Sequence, residues 1–186
     1  IFNPNKIVDA DPMNTNLRYE PEQETAQFDT VFDFEKEGVE KAEELTDALH
    51  KKMLQLNGFG LSANQVGIPF RMFVFGNADQ RFAIFNPTVV GVSKEESTME
   101  EGCLSFPEFF LTLRRPEKVT VDYQNEKGET QLKTFSGVAA RIILHEYDHM
   151  EGINFTYHAS NFKLKYTLGK MAKKQKKLLR RTKYGK

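Results

Sequence analysis

A single cysteine, Cys103, occurs among the 186 residues. An intramolecular disulfide is therefore excluded, and the chain must fold on its apolar core alone. It is long enough to do so, since a chain of this size buries about 70% of its unfolded surface. No apolar stretch approaches the roughly 18 residues of a membrane span. The opening IFNPNKIVDADP has neither a basic nor an apolar region, so no secretory signal is expected. Net charge is also lacking, because 26 Lys+Arg cancel 26 Asp+Glu. That zero hides a division. No Asp or Glu follows Glu151, and 11 of the basic residues lie in 152–186. The preceding body holds the other 15 basic residues against all 26 acidic ones, so body and tail carry about −11 and +11. Such asymmetry points to an acidic partner for the tail. With 39% hydrophobic and 28% charged residues, disordered and collagen-like classes are excluded.

What is present suggests an α+β fold. Residues 1–34 read as irregular, pinned to the core by Leu17, Phe28, Val31 and Phe32. From Glu35 to Asn57, apolar residues recur at spacings of three and four, from Val39 and Ala42 to Met53 and Leu56. That is one helix, with Gly58 placed to end it. Short runs rich in Val, Ile, Phe, Thr and Tyr then predict strands at 72–75, 82–85, 88–92, 111–113, 118–123 and 131–135. Pro69, Pro87, Pro107 and Pro116 are expected at strand edges. Asn125–Gly128 reads as a hairpin turn. Gly137–Glu151 is helical again, and Leu164–Leu179 forms a basic helix with Leu168, Met171, Gln175 and Leu178 on one face. The expected architecture is antiparallel strands around a central metal-binding helix, with an N-terminal helix and a basic C-terminal helix. Residues 1–160 would form the catalytic body, and 161–186 a helical extension of the same domain.

The strongest chemical signal is His145-Glu146-Tyr147-Asp148-His149, an H-E-x-x-H pattern. Residues four apart share a helix face, so both imidazoles can reach one metal ion. Glu146 follows directly and can take a proton from water at that metal. Two ligands are too few; catalytic sites of this type usually have three and an open position. Downstream lies only His158, without the spacing of an extended protease motif. The third ligand is therefore sought upstream, where Cys103 stands in EGCLSFP. A lone cysteine is more often a small buried hydrophobe, so both readings stay open. A third segment, GFGLSANQVG at 58–67, has two glycines that expose backbone to an approaching chain, and Gln65, whose amide can donate to a developing oxyanion. A phosphate loop is the rival reading, weakened because these glycines follow a helix and do not open one. A zincin-type metallopeptidase and a nucleic-acid-binding module built on the basic tail also remain open.

Taken together, the three segments resemble the peptide deformylase family. Its motifs G-φ-G-φ-A-A-x-Q, E-G-C-φ-S and H-E-φ-D-H are matched by GFGLSANQ at 58–65, EGCLS at 101–105 and HEYDH at 145–149, in the family's order. The resemblance covers residues 35–152. It implies a hydrolase that removes the N-formyl group from N-terminal formyl-methionine of nascent chains, releasing formate. It further implies Cys103, His145 and His149 as ligands of one divalent ion, Fe(II) natively, with Zn, Ni or Co able to replace it. Glu146 would be the catalytic carboxylate. Gln65 and the backbone N–H of Leu104 would hold the formyl oxygen. Gly58, Phe59, Gly60 and Gly102 would flank the peptide, with Gly60 backbone pairing to it. The methionine pocket would involve Phe59, Val138, the stem of Arg141 and Ile142. The basic tail would meet ribosomal RNA, through Lys173, Lys174, Lys176, Lys177, Arg180 and Arg181. The enzyme would be a cytoplasmic monomer without membrane attachment, or act in an organelle or in a phage host.

Three departures from the family pattern stand out. Ser62 replaces the first Ala of its motif, and its added oxygen needs a hydrogen bond. Leu144 stands where most members have Gln, which removes one polar neighbour of the first histidine. Phe109 and Phe110 occupy positions often polar or basic and are expected to make the pocket mouth aromatic. Asp148 reads as a fourth ligand or as a structural ion pair with Arg115 or Arg114; its place on the helix favours the pair. Tyr147 and Met150 are expected in the core, and His50 and His158 at the surface or as satisfied core histidines.

Overall fold

The computed structural model of the protein describes residues 30–184, with side chains throughout except at positions 175 and 178–184. Leu17 and Phe28, expected as anchors, lie outside the described residues. Phe32 is buried as expected, whereas Val31 points to solvent. Phe32 packs edge-on against Phe34, Phe70 and Phe85, with ring centroids 4.8–5.0 Å apart.

The expected first helix is two. α1 (Phe34–Glu37) is capped by Asp33, whose side chain accepts from Glu35 N–H and Lys36 N–H. α2 (Val39–Gln55) follows after Gly38, at φ +84°, a left-handed conformation that a periodicity reading passes over. α2 buries Ala42, Thr46, Leu49 and Met53 along one stripe. Asn57, in the left-handed region, turns the chain so that Gly58 N–H reaches Met53 O.

Seven strands follow. β1 (Gly60–Ser62), β2 (Met72–Gly76), β3 (Arg81–Val92), β6 (Lys118–Gln124) and β7 (Thr130–Ser136) form an antiparallel sheet in the order β1-β2-β3-β6-β7. The runs 82–85 and 88–92 prove to be one strand. Asn86 at φ +50° and Pro87 sit inside it, where the pairing with β6 shifts register. Pro87 is tolerated there because the bulge needs no ladder N–H from it. Asn86 turns its side chain inward, accepting from Phe32 N–H and donating to Phe32 O and Gln124. The Asn125–Gly128 turn is present, with Gly128 at φ +78°.

β4 (Glu96–Cys103) and β5 (Phe106–Pro116) form a separate two-stranded hairpin. β4 was not anticipated. Its sequence ESTMEEGC has one β-branched residue, Thr98, and no aromatic, so its pairing with β5 carries it. α3 (Gly137–Met150) packs against β1, β2, β6 and β7 on one side and meets β5 on another. α4 (Asn161–Tyr184) buries Leu164 and lays Leu168 and Met171 on the hairpin cluster.

Three apolar clusters result. One lies between α2 and the sheet, around Phe32, Leu49, Met53, Leu61 and Phe85. The second lies between α3 and the sheet, around Phe73, Ile84, Val121 and Ile143. The third joins the hairpin to Phe155 and α4, and includes Cys103. The H-E-x-x-H helix stands where they meet. Among the described residues, no helix is long and apolar enough to cross a membrane.

Candidate metal centre

α3 turns Val138, Ile142, Glu146 and His149 toward one side by their spacing of three and four. His145 and His149 bring their rings to 5.0 Å between centroids. Cys103 reaches the same point from the end of β4, where the register with β5 breaks between Gly102 and Cys103. Gly102 lets the Phe110 ring lie close against the backbone, since a Cβ there would stand 2.6 Å from it. The ligand atoms of Cys103, His145 and His149 all lie within 4.8 Å of one another, and the three residues are buried.

This donor set fits a divalent ion. Cys103 Sγ lies 3.2 Å from His149 Nε2, near the roughly 3.5 Å that tetrahedral ligation by sulfur at ~2.3 Å and nitrogen at ~2.0 Å would produce. His145 Nδ1 stands 3.1 Å from Glu101 Oε2, so the carboxylate orients the ring and leaves Nε2 for the centre. Burial opposes charge on the thiol, but the adjacent His149 and His145 outweigh it and hold Cys103 well below its ordinary value. Burial likewise works against His145 as a cation, yet Cys103 and Glu101 raise it to about 10. The site is thus set for a thiolate, the ligand form of cysteine.

Glu101 is the centre of a buried network that sequence reading missed. It accepts from Arg115 Nε at 2.7 Å and Nη2 at 2.9 Å, and from Arg141 Nη1 at 2.7 Å. Burial would raise its carboxyl, but His145, Arg115 and Arg141 together hold it far below the usual carboxylate range. Arg115 also donates to Asp148 Oδ2 at 2.6 Å, which is the ion pair expected for Asp148, while Arg114 pairs with Glu96 outside the network. His158 Nε2 stands 2.7 Å from the same Asp148 oxygen, so it is a satisfied member of this network. The available clue was the Glu of EGCLS beside the cysteine. Nothing in the spacing tied it to Arg115 and Arg141.

Gln65 lies in the site, on a 3-10 turn at Ala63–Val66. Its Oε1 accepts from Ser62 N–H at 2.9 Å, and its Nε2 donates to Ser105 Oγ at 3.0 Å and approaches Cys103 Sγ at 3.6 Å. Asn64 donates to His149 O. Glu146 is buried beside His145. Burial pushes its carboxyl above the usual range, against the pull of His145, His149 and the Ser62 hydroxyl. Gly60 leaves room for it, since a Cβ at that position would stand 2.5 Å from Glu146 Oε1. Leu104 folds over Gly58, and Phe59, Phe110 and Val138 are exposed. Phe109, expected at the mouth, is instead fully buried against Phe155, because alternation along β5 puts it on the core face. Arg141 is buried with its guanidinium on Glu101, Leu113 O and Ser97 O, so only its stem is left for a pocket wall. Leu144 packs into the second cluster, and His145 has its polar neighbour in Glu101. Met150 is in the core as expected, and Tyr147 is partly buried beside it. His50 contacts Asn77 O at the surface.

The sequence profile of the polypeptide deformylase family matches residues 22–165. The chain belongs to that family. A peptide deformylase from Christiangramia forsetii is 38% identical over 149 residues, covering 71% of this chain and 76% of its own. The crystal structure of peptide deformylase from Thermotoga maritima superposes with a TM-score of 0.66 at 34% identity, over 72% of this chain and 88% of that one. The Met-Ala-Ser-bound class I type b peptide deformylase from Acinetobacter baumannii gives 0.68 at 30% identity, over 74% and 93%. Peptide deformylases are metal-dependent enzymes, and the α+β deformylase fold is the one seen here. A zincin does not fit. The third potential ligand comes from an upstream hairpin, and downstream His158 is engaged by Asp148 and Arg115.

Proposed function

We propose that this deformylase-family hydrolase removes the N-formyl group from formyl-methionyl nascent peptides, with Cys103, His145 and His149 holding the ion and Glu146 moving the proton. The observation that carries this reading is the buried triangle of Cys103, His145 and His149, with the Glu146 carboxyl beside it and a strand edge next to both. When bound, a divalent ion supplies Lewis-acid activation of water and of the formyl carbonyl. Glu146 accepts the proton of the attacking water and delivers it to the departing amine. Burial raises its affinity for protons, which favours a carboxylate that takes up a proton and hands it on. Gln65 can release its long contact to Cys103 Sγ and donate Nε2–H to the carbonyl oxygen, together with Leu104 N–H.

β1 is an edge strand, so Gly58, Phe59 and Gly60 can receive the substrate backbone as an added strand. Gly102 keeps the facing wall low. Phe59, Val138, Ile142 and the stem of Arg141 form the sides for methionine. Fe(II) is the native ion, replaceable by Zn, Ni or Co, since imidazole and thiolate accept all four. The site works within residues 1–160, and 161–186 form the extension. Lys173, Lys174, Lys176 and Lys177 are exposed on α4 and would meet ribosomal RNA in the cytoplasm, or in its organellar or host equivalent, with the enzyme as a monomer. Arg180 and Arg181 continue that charge.

The decisive experiment measures formate release from formyl-Met-Ala-Ser by protein prepared anaerobically, with activity expressed per bound metal. Turnover that follows Fe(II) content supports the reading; cleavage of unformylated peptide without formate release overturns it. Replacing the four lysines with Glu tests the tail. It should abolish salt-sensitive ribosome binding and leave peptide turnover intact.

A further inference from the structure

One fully buried polar side chain has no task in this scheme. Ser62 is 0% exposed. Its backbone N–H donates to Gln65 Oε1, and its hydroxyl oxygen accepts from Gln65 N–H in a reciprocal capping box, which leaves the hydroxyl proton free to be donated elsewhere. Its hydroxyl lies 2.7 Å from Glu146 Oε2 and 2.9 Å from the carbonyl oxygen of the same residue. Strand geometry accounts for this. Residues 60 and 62 share a face of β1, while Leu61 points into the α2 cluster. The face toward Glu146 therefore offers empty space at Gly60 and a hydroxyl at Ser62. A Cβ at position 60 would meet Oε1 at 2.5 Å and Cγ at 2.9 Å.

A serine hydroxyl has one proton, so it cannot donate to both acceptors at once. Donation to a charged carboxylate is the stronger bond. No described residue donates to Oε1.

We infer that Ser62 is a positioning residue for deformylation: by holding Oε2 it commits Oε1 of Glu146 to both proton transfers. This rests on the reading of Glu146 as the proton carrier. Oε1 takes one proton from water as the water oxygen bonds to the formyl carbon. The same proton passes from Oε1 to the amine nitrogen as the C–N bond breaks. Ser62 keeps its own proton throughout and stays on Oε2, which still accepts when Oε1 carries the proton.

The test is a kinetic cycle on formyl-Met-Ala-Ser with Ser62→Ala, Glu146→Asp and the double variant, with metal content and Tm measured for each. Ser62→Ala should lower kcat about tenfold, the effect of one hydrogen bond to a charged group, with KM and metal content unchanged. Ser62→Thr, which keeps the hydroxyl, should recover most of that loss. In the Glu146→Asp background the carboxylate is withdrawn from the hydroxyl, so Ser62→Ala should cost nothing further. Unchanged kcat, a loss confined to KM, or an equal loss in both backgrounds overturns the proposal, as does a fall in kcat matched by lost metal. Glu146→Gln serves as the separate control. Full activity there refutes Glu146 as proton carrier, whatever Ser62→Ala does.

Discussion

Replacing Arg115 with Met tests whether the buried charge network holds the hairpin to α3. Arg115 is 4% exposed and touches two carboxylates, Glu101 on β4 and Asp148 on α3. Methionine keeps much of the stem volume but removes every donor. Leaving one partner of a buried ion pair uncompensated costs about 3–5 kcal/mol. The lower end applies here, because Arg141 still donates to Glu101 and His158 still faces Asp148. For a domain of this length, about 3 kcal/mol corresponds to a Tm lower by roughly 6–12 °C. The measurement is thermal unfolding by circular dichroism at fixed free metal, supported by a denaturant titration. Arg115→Lys should fall between, since one ammonium cannot fork across both carboxylates. A shift below about 2 °C for Arg115→Met would refute the claim that this network anchors the hairpin.

Three further outcomes follow from the geometry. Glu101 is held below its ordinary value of 4.5, so the folded state binds fewer protons and this stabilisation is present above pH 4.5 and lost as pH falls below it. Glu101→Gln should therefore be less stable at neutral pH and show a flatter loss of Tm in acid; an unchanged acid profile would contradict this. Gly60→Ala places a methyl group on Glu146 and Ile142, and should cut kcat sharply while the metal stays bound, as read by formate release and metal analysis. Phe109→Ala should cost about 3–5 kcal/mol in denaturant titration, and Phe110→Ala much less, because only Phe109 is buried.

Legibility in the sequence followed the range of the physics. His145, Glu146 and His149 were readable because i and i+4 fix a shared helix face with no tertiary information. Cys103 was readable only as the remaining donor once two ligands asked for a third. β4 was invisible because its composition is polar and its pairing decides it. Gly38 split the first helix through a single backbone angle, which apolar spacing does not register. Phe109 was misplaced by one step of strand alternation. Glu101, Arg115 and Arg141 are 14 and 40 residues apart in sequence, and nothing local announces that they meet.

The ligand triangle spans two separately packed clusters, with Cys103 in the hairpin core and the two histidines on the helix that covers the sheet. An ion held there as proposed would tie together residues 46 positions apart. Stability then obeys mass action: free ion at a hundred times its dissociation constant adds about 2.7 kcal/mol. The temperature at which this protein melts becomes a readout of ion supply, and chelation should loosen the hairpin from the helix before the five-stranded sheet gives way.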